Sequence, residues 1–485
     1  VHKNLLDYLT WVFNIIQLLG CQILGKEFSS MQSSNSDSVK FLLEASIVGM
    51  LVKLAIPNSI AIITMTSIIL SDAKFVGQLG TTALASLAVV FPFQSLLQMM
   101  SAGAIGGGVA SSLSRALGAG DKEKAEEAAW HSLLIMVVMA AMYTLVLGIF
   151  CRPIFSILGA RGEVLDGSVS YARVLFGAAF MGWLFFVGSS WLRAIGQIFL
   201  LSKIVIISSI SQIILSGSLT LGWGPFPAIG ISGPAVATVM CHSVAGGYMV
   251  YVMTGNKLDI KLRPYKFNIR AVRDIMKVGG IGLINSTSIA LSVVVVTWVI
   301  GRYGDEALAG YGLGSRLEII LTPIAFGIGS IVTIAVGANF GAKQFMRARK
   351  IAWMGCAATF VITSVIGLGS AIEPGLWLDR FTSDPEVYKH GALYFVIAGP
   401  FYGFFGGGQA LYFANQGTGH MVIPVLISLA RLILVCSVGI LSVLLLWDLS
   451  VIFWGVGIGL LVIGTGLSLN MFGPVWQPKA PSVGK

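Results

Sequence analysis

Charged residues are the scarcest class in this sequence. Only 11% of its 485 residues are Asp, Glu, Lys or Arg, whereas soluble domains contain about 25%. A soluble fold of this length needs a charged surface, and this composition cannot supply one. Apolar residues make up 56% of the chain, and the mean hydropathy is +0.86. The composition therefore excludes a soluble globular protein and predicts an integral membrane protein.

Cysteine clusters and reactive motifs are also lacking. The sequence contains no CxxC pair and no HExxH, GxSxG or GxxxxGKS/T pattern, so no disulfide framework, metal centre or known type of active site is predicted. We expect no enzyme and no cofactor apart from a coupling ion. The five cysteines are scattered along the chain as Cys21, Cys151, Cys241, Cys356 and Cys436.

Long apolar runs, by contrast, recur along the whole chain and predict twelve membrane-spanning helices. Each run is long enough to cross a hydrocarbon layer of about 30 Å, and helices satisfy the backbone polar groups inside a bilayer. The expected fold is an all-α integral membrane protein. The predicted span centres lie near residues 62, 95, 138, 180, 210, 243, 288, 322, 360, 402, 433 and 461.

Basic residues are concentrated in the loops on one predicted side of the membrane. These loops, in which we count Arg115 and Arg193, hold sixteen Lys and Arg residues against six on the other side. The positive-inside rule then places both termini in the cytoplasm. The net charge of +10 is spread over many loops, so no nucleic-acid partner is expected.

The sequence repeats itself with an offset of 224 residues. Lys53 then falls on Lys277 and Gly80 on Gly304; with one residue of slippage, Gly118 meets Gly341 and Gly196 meets Gly419. Each half holds six spans, an even number, so the two copies share one orientation. We predict two six-helix bundles related by a pseudo-twofold axis along the membrane normal.

This repeat divides the chain into five predicted segments. Residues 49–256 form the N-lobe (helices 1–6) and 278–475 the C-lobe (helices 7–12), joined by a cytoplasmic inter-lobe loop at 257–277 with seven Lys and Arg residues. Residues 1–48 are interpreted as an interfacial helix followed by a linker, with a thirteenth span as the alternative. Residues 476–485 form a C-terminal tail.

Four short segments resemble the multidrug and toxic compound extrusion (MATE) family, in particular its DinF-like branch. They are Asp72-Ala-Lys-Phe-Val-Gly-Gln-Leu-Gly-Thr-Thr-Ala-Leu-Ala, Ser114-Arg-Ala-Leu-Gly-Ala-Gly-Asp-Lys-Glu-Lys-Ala, Leu192-Arg-Ala-Ile-Gly and Gly337-Ala-Asn-Phe-Gly-Ala-Lys. The resemblance covers residues 49–475 and implies a V-shaped pair of lobes. It also implies export of drugs or metabolites, coupled to inward flow of H⁺ or Na⁺.

Asp72 is the strongest candidate for the coupling residue. Asp72 and Glu318 are the acidic residues that fall well inside predicted spans. A carboxylate at the centre of a membrane helix costs about 2.5–3.5 kcal/mol on insertion scales, so it indicates a function. The alternative is a structural pair with Lys74, which lies two residues away on a different helix face.

The family resemblance adds five residues to the predicted coupling site. Pro57 matches a family proline that lets helix 1 bend, and Tyr171 and Thr238 match family positions in helices 4 and 6. In helix 5 the family pair Asn-x-x-x-Asp is replaced by Gln212 and Ser216. Asp72 is therefore expected to be the lone titrating group of the N-lobe.

Charges in the C-lobe and polar residues in helix 2 complete the candidates. Arg316, Glu318 and Arg431 are predicted either to form a structural Glu318–Arg431 ion pair or to meet substrate. Gln94, Gln98 and Met99 are predicted to line the substrate cavity. His242 and His390 are interpreted as bystanders, because neither belongs to a recognisable motif.

The sequence thus predicts a secondary antiporter in the cell membrane. It would export small organic compounds, cationic or amphipathic, in exchange for H⁺ or Na⁺ by alternating access. The alternative is a flippase for lipids or lipid-linked substrates, in which arginines would line the cavity. The expected partners are a small-molecule substrate and the lipid bilayer, and the expected state is a monomer.

Overall fold

The computed structural model describes residues 35–255 and 258–477, and within these ranges it contains helices and no strand. Twelve membrane helices, α1–α12, form two bundles of six. A shorter helix, Asn35–Glu44, precedes them. The bounds are Ile47–Gly77 (α1), Thr81–Gly118 (α2), Lys122–Ile149 (α3), Gly162–Gly177 with Ala179–Ala194 (α4), Ile198–Leu221 (α5), Gly230–Thr254 (α6), Ile269–Tyr303 (α7), Asp305–Gly341 (α8), Phe345–Ile372 (α9), Pro385–Ala398 with Tyr402–Thr418 (α10), Val422–Leu444 (α11) and Leu449–Asn470 (α12).

Two of the twelve membrane helices are broken. Ten helices in the described chain are long and apolar enough to cross a membrane, and α4 becomes an eleventh if its two parts, bent by 50°, are one span. The parts of α10 have 14 and 17 residues and are joined by a 3-10 turn at Gly399–Phe401. Each of the twelve predicted span centres lies inside one of these helices, which confirms the predicted fold class.

Two predicted segment boundaries need correction. Helix α7 begins at Ile269, so residues 269–277 of the predicted inter-lobe loop are helical. The Asn268 side chain caps this helix by accepting a hydrogen bond from the Arg270 amide at 2.9 Å. The helix Asn35–Glu44 occupies part of the predicted linker, while the predicted interfacial helix lies outside the described residues. The predicted boundaries lie where the sequence becomes polar. Polar residues show where the chain leaves the membrane, but a helix can continue into water beyond that point.

The two bundles are related by a pseudo-twofold axis. Gly80 and Gly304 precede α2 and α8 with φ of +114° and +117°, a left-handed conformation that favours glycine. The contact between α2 and α8 is reciprocal: a Cβ on Gly118 would lie 1.9 Å from the Ala338 carbonyl oxygen, and one on Gly341 would lie 2.1 Å from that of Arg115. Such exchange of equivalent contacts is what a twofold axis produces.

The lobes are joined at one end of the molecule, which we call the basic end. It carries the loops 119–121, 195–197, 258–268, 342–344 and 419–421. One continuous apolar core joins the lobes there, with residues of α2 and α4 from the N-lobe and of α8 and α10 from the C-lobe, and it extends through the N-lobe to Phe155 and Ala160. Toward the opposite end, a separate core lies within the C-lobe and a small one within the N-lobe. The structure is therefore a V that is closed at the basic end.

Polar contacts across the lobes reinforce this closure. Arg115 of α2 forms an ion pair with Asp274 of α7 at 2.8 Å, and Ser112 donates to the same carboxylate at 2.7 Å. On α3, Glu126 accepts hydrogen bonds from the Lys261 amide at 2.8 Å and the Tyr265 hydroxyl at 3.0 Å. These groups hold α7 and the inter-lobe loop against the N-lobe.

Removing the Arg115 side chain is expected to loosen the basic end. Arg115→Ala leaves Asp274 without its ion-pair partner. This should destabilise the closed form by about 1–3 kcal/mol relative to the open form. Because 1.4 kcal/mol is a factor of ten, backbone amides of residues 111–118 should exchange hydrogen about 10-fold faster, as measured by mass spectrometry. The control is Arg270→Ala, an exposed arginine at the start of α7. Equal exchange in both variants would contradict the role of this ion pair.

Candidate functional site

Asp72 lies inside the N-lobe on α1, where it is 4% exposed. Its carboxylate accepts a hydrogen bond from the Ser216 hydroxyl of α5 at 2.5 Å. Lys74, the alternative partner, is exposed and lies on another face of α1. Within the described part of the chain, the hydrogen-bond partner of the carboxylate is a neutral hydroxyl group, which leaves its charge available to titrate or to meet a cation.

Three further predicted residues lie near Asp72 as members of separate hydrogen-bonded pairs. Gln212 donates to the Thr238 hydroxyl at 2.7 Å, and the Tyr171 hydroxyl donates to the amide oxygen of Gln94 at 3.3 Å. Gln212 and Ser216 are four residues apart and therefore share one face of α5. The structure thus brings five of the six predicted coupling residues into one region of the N-lobe.

Pro57 is the member that lies apart from this region. It is fifteen residues before Asp72, which corresponds to about 22 Å along α1. The next residue, Asn58, donates to the Gly327 carbonyl at 2.7 Å and to the Ser330 hydroxyl at 2.9 Å, both on α8 of the other lobe. Pro57 is therefore placed at the inter-lobe contact rather than beside the carboxylate.

A cavity of about 60 Å³ lies beside this cluster. Of the predicted cavity residues, Gln94 and Gln98 line it, together with Gln212, Thr238 and Met65. Met99 is not among the residues that line this cavity, and its contact with substrate stays a prediction. It begins a π-helical segment, Met99–Ile105, and such a segment rotates the following side chains relative to a regular α-helix.

His242 is a cavity residue that the sequence did not reveal. Its ring stacks on Phe185 with centroids 4.4 Å apart and planes 7° from parallel, and meets the edge of Phe186 at 5.7 Å. Both His242 and Phe186 line the cavity. The one available signal was spacing, because His242 follows Thr238 by four residues and so lies on the same face of α6.

The three predicted C-lobe charges do not form one site. Glu318 accepts a hydrogen bond from the Tyr394 hydroxyl of α10. It also interacts electrostatically with Arg431 of α11, although no direct Glu318–Arg431 ion pair occurs among the salt bridges of residues 35–255 and 258–477. Arg316 is exposed. Within the same described ranges, no group of three or more His, Cys, Asp or Glu side chains could hold a metal ion.

Two helical lobes, joined at one end and containing a buried carboxylate beside a cavity, form an architecture typical of membrane transporters. A sequence model of the MatE family matches residues 57–216 and 283–441. The chain belongs to this family, whose members are transporters and not enzymes. The predicted family is thus confirmed, while its DinF-like branch stays a prediction.

Several characterised relatives and structures are similar to the chain. The FAD transporter of Shewanella oneidensis is 27% identical over 75% of this chain and 80% of the relative. The probable multidrug resistance protein YoeA of Bacillus subtilis is 26% identical over 72% and 77%. A MOP superfamily transporter from Pyrococcus furiosus superposes with a TM-score of 0.82 at 22% identity, covering 88% of this chain and 96% of that one. This last likeness concerns the fold alone.

Proposed function

We propose that the chain is an antiporter that exports small amphipathic or cationic organic compounds in exchange for protons. The observation that carries the proposal is the buried Asp72 carboxylate, which accepts a hydrogen bond from the Ser216 hydroxyl at 2.5 Å beside the N-lobe cavity. Burial favours the neutral form of a carboxylic acid, so this group can load a proton on one side of the membrane and release it on the other.

Helix α1 connects the proton site to the movement of the lobes. It carries Asp72 in the half toward the open end and Asn58 at the contact with α8. Protonation cancels the Asp72 charge and changes what the Ser216 hydroxyl can donate to. A change in the course of α1 would then reach Asn58 and, next to it, Pro57, where the missing amide removes one helical hydrogen bond and lets the helix bend.

A proton fits the surroundings of Asp72 better than a sodium ion does. Hard cations require several oxygen ligands at once. Among the described residues, the oxygen that hydrogen-bonds to the Asp72 carboxylate is the Ser216 hydroxyl. The neighbouring polar groups are already bonded as Gln212–Thr238 and Tyr171–Gln94 pairs. Sodium is the alternative that the experiment below distinguishes.

The cavity favours a small amphipathic solute over a lipid-linked one. It combines the amide groups of Gln94, Gln98 and Gln212 with the aromatic rings of Phe186 and His242, which meet edge to face. A flippase would be expected to present a row of inward arginines, and the described membrane helices contain buried arginine in isolated positions, such as Arg193. Relatives named as FAD and multidrug transporters suit the smaller class of solute.

The test is transport by the purified protein in proteoliposomes. An imposed pH gradient should drive accumulation of fluorescent cationic dyes and of flavins, and a sodium gradient at equal pH should not. Accumulation under the sodium gradient alone would assign sodium as the coupling ion. If neither gradient changes the rate of transport, the proposal of antiport is wrong.

A further inference from the structure

Arg193 is a buried cation that the proposed transport cycle leaves without a role. It is the second-last residue of α4 and is 7% exposed. Among residues 35–255 and 258–477 its guanidinium donates no hydrogen bond and forms no ion pair, and its Nε is buried without a partner. An arginine has five N–H donors, and a buried charge without partners is costly.

The aromatic ring that contacts this guanidinium belongs to the other lobe. Its central carbon lies 5.7 Å from the ring centroid of Phe326 on α8. Phe326 is held in turn by Phe413 of α10, with ring centroids 5.3 Å apart and planes at 90°. The following residue, Gly327, accepts the inter-lobe hydrogen bond of Asn58. Arg193 therefore reaches the floor of the cleft, where the lobes meet.

Arg193 also lies on the helix face that borders the N-lobe cavity. Gly182 and Phe186 of α4 line that cavity, and Arg193 follows Phe186 by seven residues, or two helical turns. Residues seven apart share one face of a helix, and the separation is about 10 Å along the axis. Arg193 does not line the cavity in this closed form, but an elongated solute that contacts the edge-to-face rings of Phe186 and His242 is long enough to extend to it.

We propose that Arg193 binds a carboxylate or phosphate group of the transported solute, whose planar aromatic part packs against the Phe186 and His242 rings at the N-lobe cavity. A guanidinium presents two parallel N–H groups that match the oxygens of such an acid. The Phe326 ring contacts the guanidinium through a cation–π interaction, which does not satisfy its N–H donors. This proposal refines the substrate class of the proposed exporter and rests on that function.

The position of Phe326 links anion binding to the movement of the lobes. In the present structure the basic end is closed, and the ring of Phe326 covers Arg193. When the lobes part at the basic end, α8 carries Phe326 away and uncovers the guanidinium. An acidic group bound from that side is then displaced when the ring returns. Solute would therefore be captured at the basic end and released toward the opposite end.

The test compares binding of riboflavin and riboflavin 5′-phosphate, which share one ring system and differ by a phosphate. Binding to the purified full chain in nanodiscs is followed by quenching of flavin fluorescence, with no ion gradient. The wild-type protein should bind the phosphate about 10-fold or more tightly than riboflavin. Arg193→Gln should remove this preference and leave riboflavin affinity within about twofold. Arg193→Lys should keep part of the preference, and Phe326→Ala should keep all of it.

Controls separate this site from other sources of anion binding. Arg380→Gln changes an exposed arginine of the loop 373–384 and should leave both affinities unchanged. Inorganic phosphate should compete with the flavin phosphate. Nanodiscs with and without phosphatidylglycerol reveal any competition by a lipid headgroup, and displacement by this lipid alone would assign the site to lipid and overturn the solute proposal.

Two other results would overturn the proposal. One is that Arg193→Gln and Arg193→Lys both lose affinity for riboflavin and for its phosphate to the same extent. This would show that Arg193 has a structural role. The other is a wild-type protein that does not distinguish the two flavins. Because binding is measured without a gradient, these outcomes are independent of whether proton antiport itself is correct.

Discussion

Asp72→Asn is expected to abolish export driven by a pH gradient while leaving the protein folded and able to bind substrate. The asparagine side chain has nearly the same shape, and its amide oxygen can still accept the hydrogen bond from Ser216. What it loses is the charge and the ability to take up a proton. Since a charged group inside the membrane costs about 2.5–3.5 kcal/mol, the neutral variant should be at least as stable as the wild type.

Proteoliposomes separate the loss of coupling from a loss of transport. Uptake driven by a pH gradient should fall to the level of empty liposomes in Asp72→Asn, whereas binding of the same dye and thermal unfolding should match the wild type. The control is Asp305→Asn, an exposed acid in the first turn of α8, which should keep full gradient-driven uptake. Gradient-driven uptake that persists in Asp72→Asn would show that the coupling group lies elsewhere, with Glu318 as the next candidate.

The sequence revealed Asp72 because a carboxylate within an apolar run is conspicuous by itself. Its partner Ser216 was found through a family motif in which the usual aspartate is replaced. His242 and Tyr394 were missed for a physical reason. Their roles arise when α6 packs on α4 and α10 packs on α8, and neither packing partner can be recognised from spacing along one helix.

The arginines near the ends of spans show a different limit of sequence analysis. Arg115 and Arg193 were counted among loop residues, yet both lie within helices and both contact the other lobe. The helices continue past the apolar runs: α8 has 37 residues, about 55 Å at 1.5 Å per residue, whereas about 20 suffice to cross the hydrocarbon layer. Hydropathy locates the edge of the membrane. Whether an arginine at that edge faces water or binds the other lobe depends on contacts between the lobes.

The internal repeat was visible in the sequence, but its mechanical meaning was not. The offset paired Gly118 with Gly341, and the structure shows that these two glycines sit on opposite sides of one contact, where α2 and α8 cross backbone to backbone. A repeat aligns residues that are equivalent, and it gives no indication of which equivalent residues touch. The equivalent residues that touch are those nearest the pseudo-twofold axis, where an added atom would clash with the other lobe.

Gly118→Val and Gly341→Val are each expected to reduce transport by at least about 10-fold. A Cβ at either position would fall 1.9 Å or 2.1 Å from a backbone oxygen of the other lobe, and backbone in a packed helix cannot turn aside as a long side chain can. Neither glycine is among those with positive φ, so the substitution changes the contact rather than straining the local chain. The lobes should then fail to close at the basic end, and both variants should show the same increase in hydrogen exchange along residues 111–118 and 337–341.

The matched control for this prediction is Gly77→Val, because a Cβ on Gly77 would meet no heavy atom within 4 Å. It adds the same side chain to a membrane helix of the same repeat at the end of the molecule where the lobes are apart. Transport by Gly77→Val should equal that of the wild type. If Gly118→Val also transports normally, closure at the basic end does not require this backbone contact. If Gly118→Val and Gly341→Val differ from each other, the two lobes do not contribute equally to it. Equal loss in both, with normal transport in the control, is the result that a twofold contact at the closing interface requires.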